Sequence, residues 1–363
     1  MLKFLHAADF HLDSPFQGLT GPQAAQRRRE QRELLDRLAE LAVSERVDLV
    51  LLAGDLFDSQ EIYRETAQAL AGCLGRMPCP VFLAPGNHDC YGAQSPYRTI
   101  AWPEQVHLFS TPEIEALELP GLNCVVYGAA FTLPYREESP LAGFRAPEDE
   151  RFHLMVLHGD VNAHSRYAPI TEEQIADSGL NYLALGHIHA CSGPCRAGTT
   201  VWAYPGCPEG RGFDELGEKG VLIGEVDQSG VALRFVPLCK RRYEILAADV
   251  TEQDPEQAIR AVLAGHMDDI CRVRLIGAPE RQIPDLTGLT EQLSGLCWKL
   301  SLRDHTSLRR DLWARAEEDT LTGLFLRDVR ARLETCSPEE REPLLLAAKF
   351  GLAALEHGED IRP

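Results

Sequence analysis

Short, mostly apolar runs separated by segments of helix length are the feature that most constrains how this chain folds. The first three runs are residues 2–8, 48–53 and 81–84. Runs that lack polar alternation are typical of strands buried on both faces of a sheet. Residues 23–45 and 62–74, which lie between the runs, carry the amphipathic pattern of helices. This alternation predicts a parallel α/β sheet.

The following residues continue the strand pattern with shorter connections. Further strands are expected at residues 122–127, 153–157, 182–185, 201–204 and 221–226. The turns between them are rich in Gly and Pro, which favours a second sheet packed against the first. We therefore predict an α/β fold, a four-layer α/β/β/α sandwich, over residues 1–240.

The pattern changes after residue 240. Residues 241–310 alternate strand-like and helix-like pieces, which predicts a small α+β domain, and residues 311–363 are predicted to form a helical C-terminal tail. Pro343 is expected to open a last helix over residues 344–355 that is apolar on nearly all sides. Such a helix must bury its surface, either against its own domain or against another chain.

Composition limits the classes of function. The chain has 363 residues, 44% of them hydrophobic, and a formal net charge of −19. An acidic chain is a poor nonspecific DNA binder, although bound divalent ions reverse the field at a single site. Its cysteines are scattered and odd in number, which indicates reduced thiols. Because no signal-peptide core or membrane-length apolar run is seen, the sequence predicts a soluble cytoplasmic protein without membrane association.

Polar side chains that commonly bind metal ions follow five of the apolar runs. They are Asp9 and His11, Asp55 and Asp58, Asn87 with His88 and Asp89, His158, and His187 and His189. Because the ends of neighbouring parallel strands meet at one edge of a sheet, we expect these stretches to converge. Carboxylate, imidazole and amide donors suit a pair of divalent ions such as manganese.

Each of these stretches is weak evidence when taken alone. An isolated Asp-x-His is usually a loop, and an isolated Gly-His-x-His usually lies on the surface. The other histidines, His6 among them, are interpreted as structural or solvated. Five such stretches in order, each after an apolar run, are hard to obtain by coincidence.

Together the five motifs resemble the calcineurin-like metallophosphoesterase superfamily, whose signatures occur in this order between Asp9 and His189. The chain departs from the phosphoprotein phosphatases of that superfamily, since Asp89 stands where they carry Glu and Ser59 where they carry Arg. The residues around Asp13 and the Gly-Asp-Leu-Phe-Asp and Leu-Gly-His-Ile-His stretches look most like the SbcD-type DNA repair exonucleases, and within them the bacterial YhaO branch.

The resemblance implies a site with two divalent metal ions, Mn²⁺ foremost and Fe, Zn, Ni or Mg as alternatives, and no organic cofactor. It implies Asp9, His11 and His189 around one ion, Asn87, His158 and His187 around the other, and Asp55 bridging both. Two such ions about 3.5–4 Å apart share a hydroxide that attacks phosphorus. His88 would be the general acid, and Asp58 the carboxylate that pairs with His88 and orients it.

Some residues near the motifs have weaker functional cases. Asp89 is expected to cap the following turn, and Asp13 and Tyr97 to have structural roles. The arginines of the first helix, Arg27 among them, are interpreted as a solvated helix face. The run Lys240-Arg241-Arg242 is a weaker candidate for contacting a DNA backbone.

On this resemblance the chain is predicted to be a hydrolase, a manganese-dependent exonuclease that cuts DNA phosphodiester bonds in repair. Two alternatives stay open: a phosphodiesterase or phosphatase for small nucleotides or phosphoproteins, which the acidic charge favours, and a non-catalytic platform subunit for an ATPase. The resemblance also implies DNA as the substrate and an SMC-like ATPase partner (SbcC/YhaN type) contacted through the C-terminal helices. It further implies a capping domain over residues 241–310. Homodimers are common in the family, and the sequence leaves the oligomeric state open.

Overall fold

Buried strands and their flanking helices follow the sequence pattern closely. The computed structural model describes residues 1–279, 285–307 and 312–357. Its strands are β1 (Leu2–Ala7), β2 (Leu49–Leu52), β3 (Val81–Leu83), β4 (Val106–Leu108), β5 (Glu115–Leu119), β6 (Cys124–Gly128), β7 (Phe152–His158), β8 (Tyr182–Gly186), β9 (Cys195–Ala197), β10 (Thr200–Ala203), β11 (Gly220–Asp227), β12 (Gly230–Pro237), β13 (Tyr243–Asp249), β14 (Ile270–Ile276) and β15 (Lys299–Asp304). Its α-helices are α1 (Gly21–Glu45), α2 (Arg64–Gly75), α3 (Glu172–Asp177), α4 (Pro255–Val262), α5 (Leu286–Leu293), α6 (Leu321–Thr335) and α7 (Pro338–His357).

Twelve of the strands form two six-stranded sheets. The first has the order β12-β11-β1-β2-β3-β4 and the second the order β5-β6-β7-β8-β10-β9. Strands β1 to β4 are parallel to one another in the first sheet, and β6, β7, β8 and β10 are parallel to one another in the second. Strands β11, β5 and β9 pair antiparallel with β1, β6 and β10. Parallel pairing places the carboxyl ends of these strands at one edge of each sheet, where α/β proteins keep their sites.

Apolar side chains pack in three layers. Leu34 of α1 packs with Val50 against the outer face of the first sheet. Phe4 and Val156 belong to a cluster formed by the inner faces of the two sheets. Ile175 of α3 packs on the outer face of the second sheet. The predicted mixed α/β sandwich is therefore confirmed, because both sheets bury one face on the other and one on helices.

The contacts divide the described chain into two units. The first comprises Met1–Ile245, Gly265–Arg272 and Cys297–Lys299, and the second the described residues of Leu246–Ala264, Val273–Leu296 and Leu300–Pro363. A third sheet has the order β13-β14-β15. In the second unit α6 and α7 pack through Leu326 and Leu352. The domain limits expected from the sequence stay predictions, and the one after residue 310 lies outside the described residues.

The last helix and the sheet edges differ from the sequence-based expectation. Helix α7 begins at Pro338, and Pro343 lies inside it. Ser337 starts the helix early because its backbone N–H and its hydroxyl both donate to Glu340 Oε2 at 2.9 Å. Edge strand β12 was not predicted, although Val231 to Leu233 and Phe235 to Val236 are apolar, and its side chains are exposed or half-buried. Within the described residues, no helix is both long and apolar enough to span a membrane.

His6 lies buried in β1 and makes folding sensitive to pH. Its Nδ1 accepts a hydrogen bond from the Tyr182 hydroxyl at 2.8 Å, and its Nε2–H donates to the Leu185 carbonyl at 3.2 Å. Burial lowers the pKa of His6 to about 3. In the unfolded chain His6 takes up a proton near the ordinary pKa of histidine, whereas in the folded chain it stays neutral down to a much lower pH. The folded state therefore loses stability as the pH falls.

We expect His6 to account for a loss of about 2 kcal/mol of unfolding free energy between pH 7 and pH 5. Urea unfolding of the wild type and of His6→Gln at both pH values measures this loss, which should be largely absent in the variant. His164→Gln, which changes an exposed histidine, is the control and should behave as the wild type. Equal pH dependence in the wild type and His6→Gln would contradict the assignment.

Candidate metal centre

The structure brings the five predicted stretches together at the carboxyl ends of parallel strands. Asp9 and His11 follow β1, Asp55 and Asp58 follow β2, Asn87 and His88 follow β3, His158 ends β7, and His187 and His189 follow β8. Backbone hydrogen bonds join these loops. The Asp9 N–H donates to the Gly54 carbonyl at 3.0 Å, and the Gly159 N–H donates to the Gly186 carbonyl at 3.1 Å.

The backbone at this junction is strained and closely packed. Asp9, Asp55 and His187 have φ values of 55°, 49° and 113°, in the region that L-residues rarely adopt, and each costs about 1–3 kcal/mol. Gly186 ends β8 against the first sheet, where an added Cβ would lie 1.8 Å from the Ala53 carbonyl oxygen. Only glycine permits the two sheets to approach this closely.

A first group of ligand atoms comes from Asp9, His11 and His189, which lie within 4.8 Å of one another. The Nε2 atoms of His11 and His189 are 3.2 Å apart. The Nδ1 of His11 lies 3.1 Å from Asp58 Oδ1, and that of His189 lies 2.7 Å from Glu215 Oε1. Because a carboxylate accepts, both Nδ1 atoms carry the proton and both Nε2 atoms keep lone pairs. Two facing lone pairs beside a carboxylate fit a bound cation.

A second group forms around His158. Its ligand atoms lie with those of Asp9 and Asp55 within 4.8 Å of one another. The Nε2 of His158 is 3.0 Å from Asn87 Oδ1, and its Nδ1–H donates to a backbone carbonyl at 2.9 Å. The ring of His187 stands edge-on to His158 with centroids 5.3 Å apart. The residues expected around a second ion are thus neighbours, and their role as ligands stays a prediction.

Asp55 lies between the two groups. Its Oδ2 is 3.7 Å from His11 Nε2 and 3.4 Å from His158 Nε2, as a bridging ligand requires. Burial raises the pKa of Asp9 to about 6. Burial acts the same way on Asp55, but His158 and His11 outweigh it and hold its pKa below the usual range. Burial lowers the pKa of His158, yet Asp55 and Asp9 raise it to about 9. The buried carboxylates of Asp9 and Asp55 therefore need compensating positive charge close to them.

His88 and Asp58 do not form the predicted side-chain pair. His88 Nδ1 lies 3.0 Å from the main-chain carbonyl of Asp58. The Asp58 carboxylate instead contacts His11 and accepts a hydrogen bond from Arg211 Nη1 at 3.0 Å. The carboxylate turns inward because an imidazole and a guanidinium there both donate to it. Since a carbonyl only accepts, His88 carries a proton on Nδ1, and its Nε2 is the nitrogen free to exchange one.

Arg211 and Glu215 are site residues that sequence reasoning missed. Arg211 Nη2 donates to Glu215 Oε1 at 2.7 Å and lies 2.9 Å from His189 Nδ1. Their side chains are 17% and 5% exposed, so the ion pair is largely withdrawn from water. Together with Asp58 the pair supports both imidazoles of the first group. In the sequence, this ion pair is visible only as an Arg and a Glu four residues apart in a glycine-rich stretch. Such a spacing is common on protein surfaces and does not single out a site.

Asp89 anchors loops and does not cap the following turn as predicted. Its carboxylate accepts hydrogen bonds from the Gly86 and Phe57 N–H groups at 2.8 and 3.0 Å and from the Tyr97 hydroxyl. Burial raises the pKa of Asp89 to about 6. Asp13 accepts hydrogen bonds at the start of α2. Asp13 and Tyr97 therefore have the structural contacts that were expected.

Several basic residues are neutralised inside the first unit. Arg27 is buried and donates to Glu30 and Glu209 at 2.8 and 2.6 Å, so its predicted place on a solvated face is wrong. Arg241 donates to Glu30 at 2.7 Å, and Arg242 pairs with a carboxylate at the same distance. The two arginines of the Lys240-Arg241-Arg242 run are thus engaged by carboxylates, which argues against their tracking a DNA backbone.

Comparisons with known proteins agree with this arrangement. The family model described as calcineurin-like phosphoesterase matches residues 2–191. The chain is 32% identical over 294 residues to "Uncharacterized metallophosphoesterase YhaO" of Bacillus subtilis, covering 77% of this chain and 70% of that protein. It is 28% identical over 249 residues to "DNA double-strand break repair protein Mre11" of Aeropyrum pernix, covering 64% and 59%. It is 25% identical over 268 residues to a subunit of the nuclease SbcCD of Bacillus subtilis, covering 61% and 66%. The matches thus span less than two thirds of the latter two relatives.

Replacing Glu215 by Gln is expected to weaken Mn²⁺ binding about 10- to 100-fold, because the carboxylate fixes the tautomer and orientation of His189. Isothermal titration of the metal-free protein with Mn²⁺ measures the affinity. Glu218→Gln removes the same charge from an exposed side chain nearby and should bind Mn²⁺ as the wild type does. Thermal unfolding of the metal-free variants separates lost affinity from lost folding, and an unchanged affinity in a folded Glu215→Gln variant would refute the role.

Proposed function

This chain belongs to the calcineurin-like phosphoesterase family, and we propose that this metallophosphoesterase hydrolyses phosphodiester bonds in DNA as an exonuclease-type repair enzyme. The observation that carries the proposal is the pair of adjoining ligand groups that share Asp9, with His88 beside them. A DNA substrate is supported by two relatives, one named a repair protein and the other a nuclease.

We assign the predicted ligands to two divalent ions. Asp9, His11 and His189 would hold one, Asn87, His158 and His187 the other, with Asp55 between them. Bound there, the ions would lower the pKa of a water and offset the charge of the phosphate. Oxygen and imidazole donors suit Mn²⁺, with Fe, Zn, Ni or Mg as alternatives.

His88 is the proposed general acid. The Asp58 carbonyl holds its Nδ1–H, so the charged ring gives its other proton, on Nε2, to the departing oxygen. The exposed position of His88 allows substrate to reach that nitrogen. We assign the Asp58 carboxylate a different task from the one its sequence suggested, since it holds His11 and Arg211 in place.

The two C-terminal helices support a partner proposal within the second unit. Leu321 and Leu324 of α6 are 69% and 57% exposed, and Leu346 and Phe350 of α7 are 52% and 37% exposed. Large apolar side chains that stay exposed on a packed helix pair are typical of an interaction surface. We propose that this surface docks an SMC-like ATPase, as the sequence resemblance implied.

Purified protein with Mn²⁺ is expected to degrade linear DNA from its ends. His88→Gln should lower the rate by about 100-fold or more, because the leaving oxygen then departs without a proton. Gel assays of linear and circular DNA, run beside cyclic nucleotides, aryl phosphates and phosphopeptides, measure the activity. Mn²⁺ titration of His88→Gln should show binding close to that of the wild type.

His164→Gln, at an exposed histidine, is the matched control and should keep the full rate. If the protein hydrolysed cyclic nucleotides or aryl phosphates but left DNA uncut, the result would favour the small-substrate alternative. The net charge of −19 also favours that alternative. Absence of any hydrolysis by protein that binds Mn²⁺ would instead favour the non-catalytic platform.

Charge introduced on the helix surface is expected to abolish ATPase association. Leu346→Glu and Phe350→Glu place a carboxylate on exposed positions that folding tolerates, but a desolvated interface does not. Co-purification with a candidate SMC-like ATPase measures the interaction. Val43→Glu, at a 51% exposed aliphatic residue of α1, is the control. If the two variants still bound the ATPase as the wild type does, the docking proposal would be refuted. If they instead changed from dimer to monomer, the surface would be assigned to contact with a second copy of this chain.

A further inference from the structure

A ladder of aromatic rings leads from the candidate metal centre to an exposed tyrosine. The rings of Tyr167 and His187 are 4.9 Å apart at an interplanar angle of 36°. Tyr135 follows, 5.5 Å from Tyr167 at an angle of 37°. Arg166 places its Cζ 4.7 Å from the Tyr135 ring centroid. One end of the ladder is therefore a proposed metal ligand, and the other is a tyrosine–guanidinium pair.

The outer end of the ladder is open to solvent. Tyr135 is 51% exposed, and the Arg166 side chain is 65% exposed. Arg166 also lies 3.3 Å from the equally exposed Glu137, a contact of the kind that contributes little in water. The planar guanidinium thus stays available to stack on a ligand together with the tyrosine ring.

Main-chain pairing holds the two tyrosines in place. The Arg136 N–H donates to the Arg166 carbonyl at 3.0 Å, and the Ala168 N–H donates to the Arg136 carbonyl at 2.7 Å. Tyr167 packs at its base against a buried cluster that includes Phe131. An exposed aromatic side chain on a fixed backbone loses little conformational entropy when it binds a ligand.

We propose that Tyr135 and Arg166 form a stacking subsite for an unpaired nucleobase of the strand being cut. This inference rests on the proposed hydrolysis of DNA and specifies which part of the substrate is recognised. A base is separated from its phosphate by one sugar ring, and Tyr135 is separated from His187 by one tyrosine ring. Tyrosine rings and arginine planes both stack on bases whatever their sequence.

The subsite also reconciles a nucleic-acid substrate with an acidic chain. A net charge of −19 gives little general attraction for phosphates, whereas stacking does not depend on that charge. Since both faces of a base in a duplex are already stacked, the subsite selects frayed ends and single strands.

Equilibrium binding tests the proposal without relying on cleavage. Full-length protein carrying His88→Gln is titrated, in Mn²⁺, with a labelled single-stranded oligonucleotide and with the same strand bearing abasic residues at its end. We expect a preference of about 10-fold for the strand with bases. Tyr135→Phe should keep this preference and Tyr135→Leu should lose it. Tyr63→Leu is the control, because Tyr63 is 55% exposed and also has an arginine over its ring. This variant should keep the preference for the strand with bases.

The outcomes separate this subsite from the proposed function. A Tyr135→Leu variant that keeps the preference, or a His88→Gln protein with Tyr135 intact that shows none, would make Tyr135 a solvated surface ring and overturn the subsite. If the chain with His88 intact still cut DNA in that case, the proposed function would stand alone. A preference that depends on Tyr135, in a protein that hydrolyses no DNA, would support the subsite and overturn the proposed reaction.

Discussion

The burial of Asp9 and Asp55 side by side is the constraint on which the rest of this structure depends. Both carboxylates are at most 1% exposed, and charges withdrawn from water are costly unless cations or donors surround them. The backbone N–H groups of His187 and His88 donate to Asp9 and Asp55, and the two carboxylates raise the pKa of His158 to about 9. A pair of divalent ions would meet the same demand more fully, which is why the site fits metal.

The same constraint explains the architecture around the site. Two sheets must deliver side chains to one point, so their loops meet at glycines and in left-handed backbone conformations. The strain is tolerated because the packed layers between and outside the sheets hold the strand ends in position. Arg211 and Glu215 then complete the support from a segment that belongs to no strand.

Much of this was visible in the residues alone. Apolar runs marked the strands that lie at the centre of each sheet, and the polar residues after each run marked the site, because parallel strands share an edge for their carboxyl ends. Edge strand β12 was not predicted, and its side chains are exposed or half-buried. The start of α7 was misplaced because Pro343 is a stronger visible signal than the Ser337–Glu340 capping contact.

Sequence was sufficient for the layered α/β fold and for the group of residues that converge, because both follow from local pattern and strand order. It could not predict which side chain each of these residues would contact. Asp58 contacts His11 and Arg211, Asp89 joins two loops, and Arg27 is buried among carboxylates, each through contacts between residues distant in the chain. Hydrogen bonds of that kind depend on where side chains come to lie after packing. The folded chain alone therefore assigns Glu215 to His189 and places Tyr135 at the end of a ladder that begins at the site.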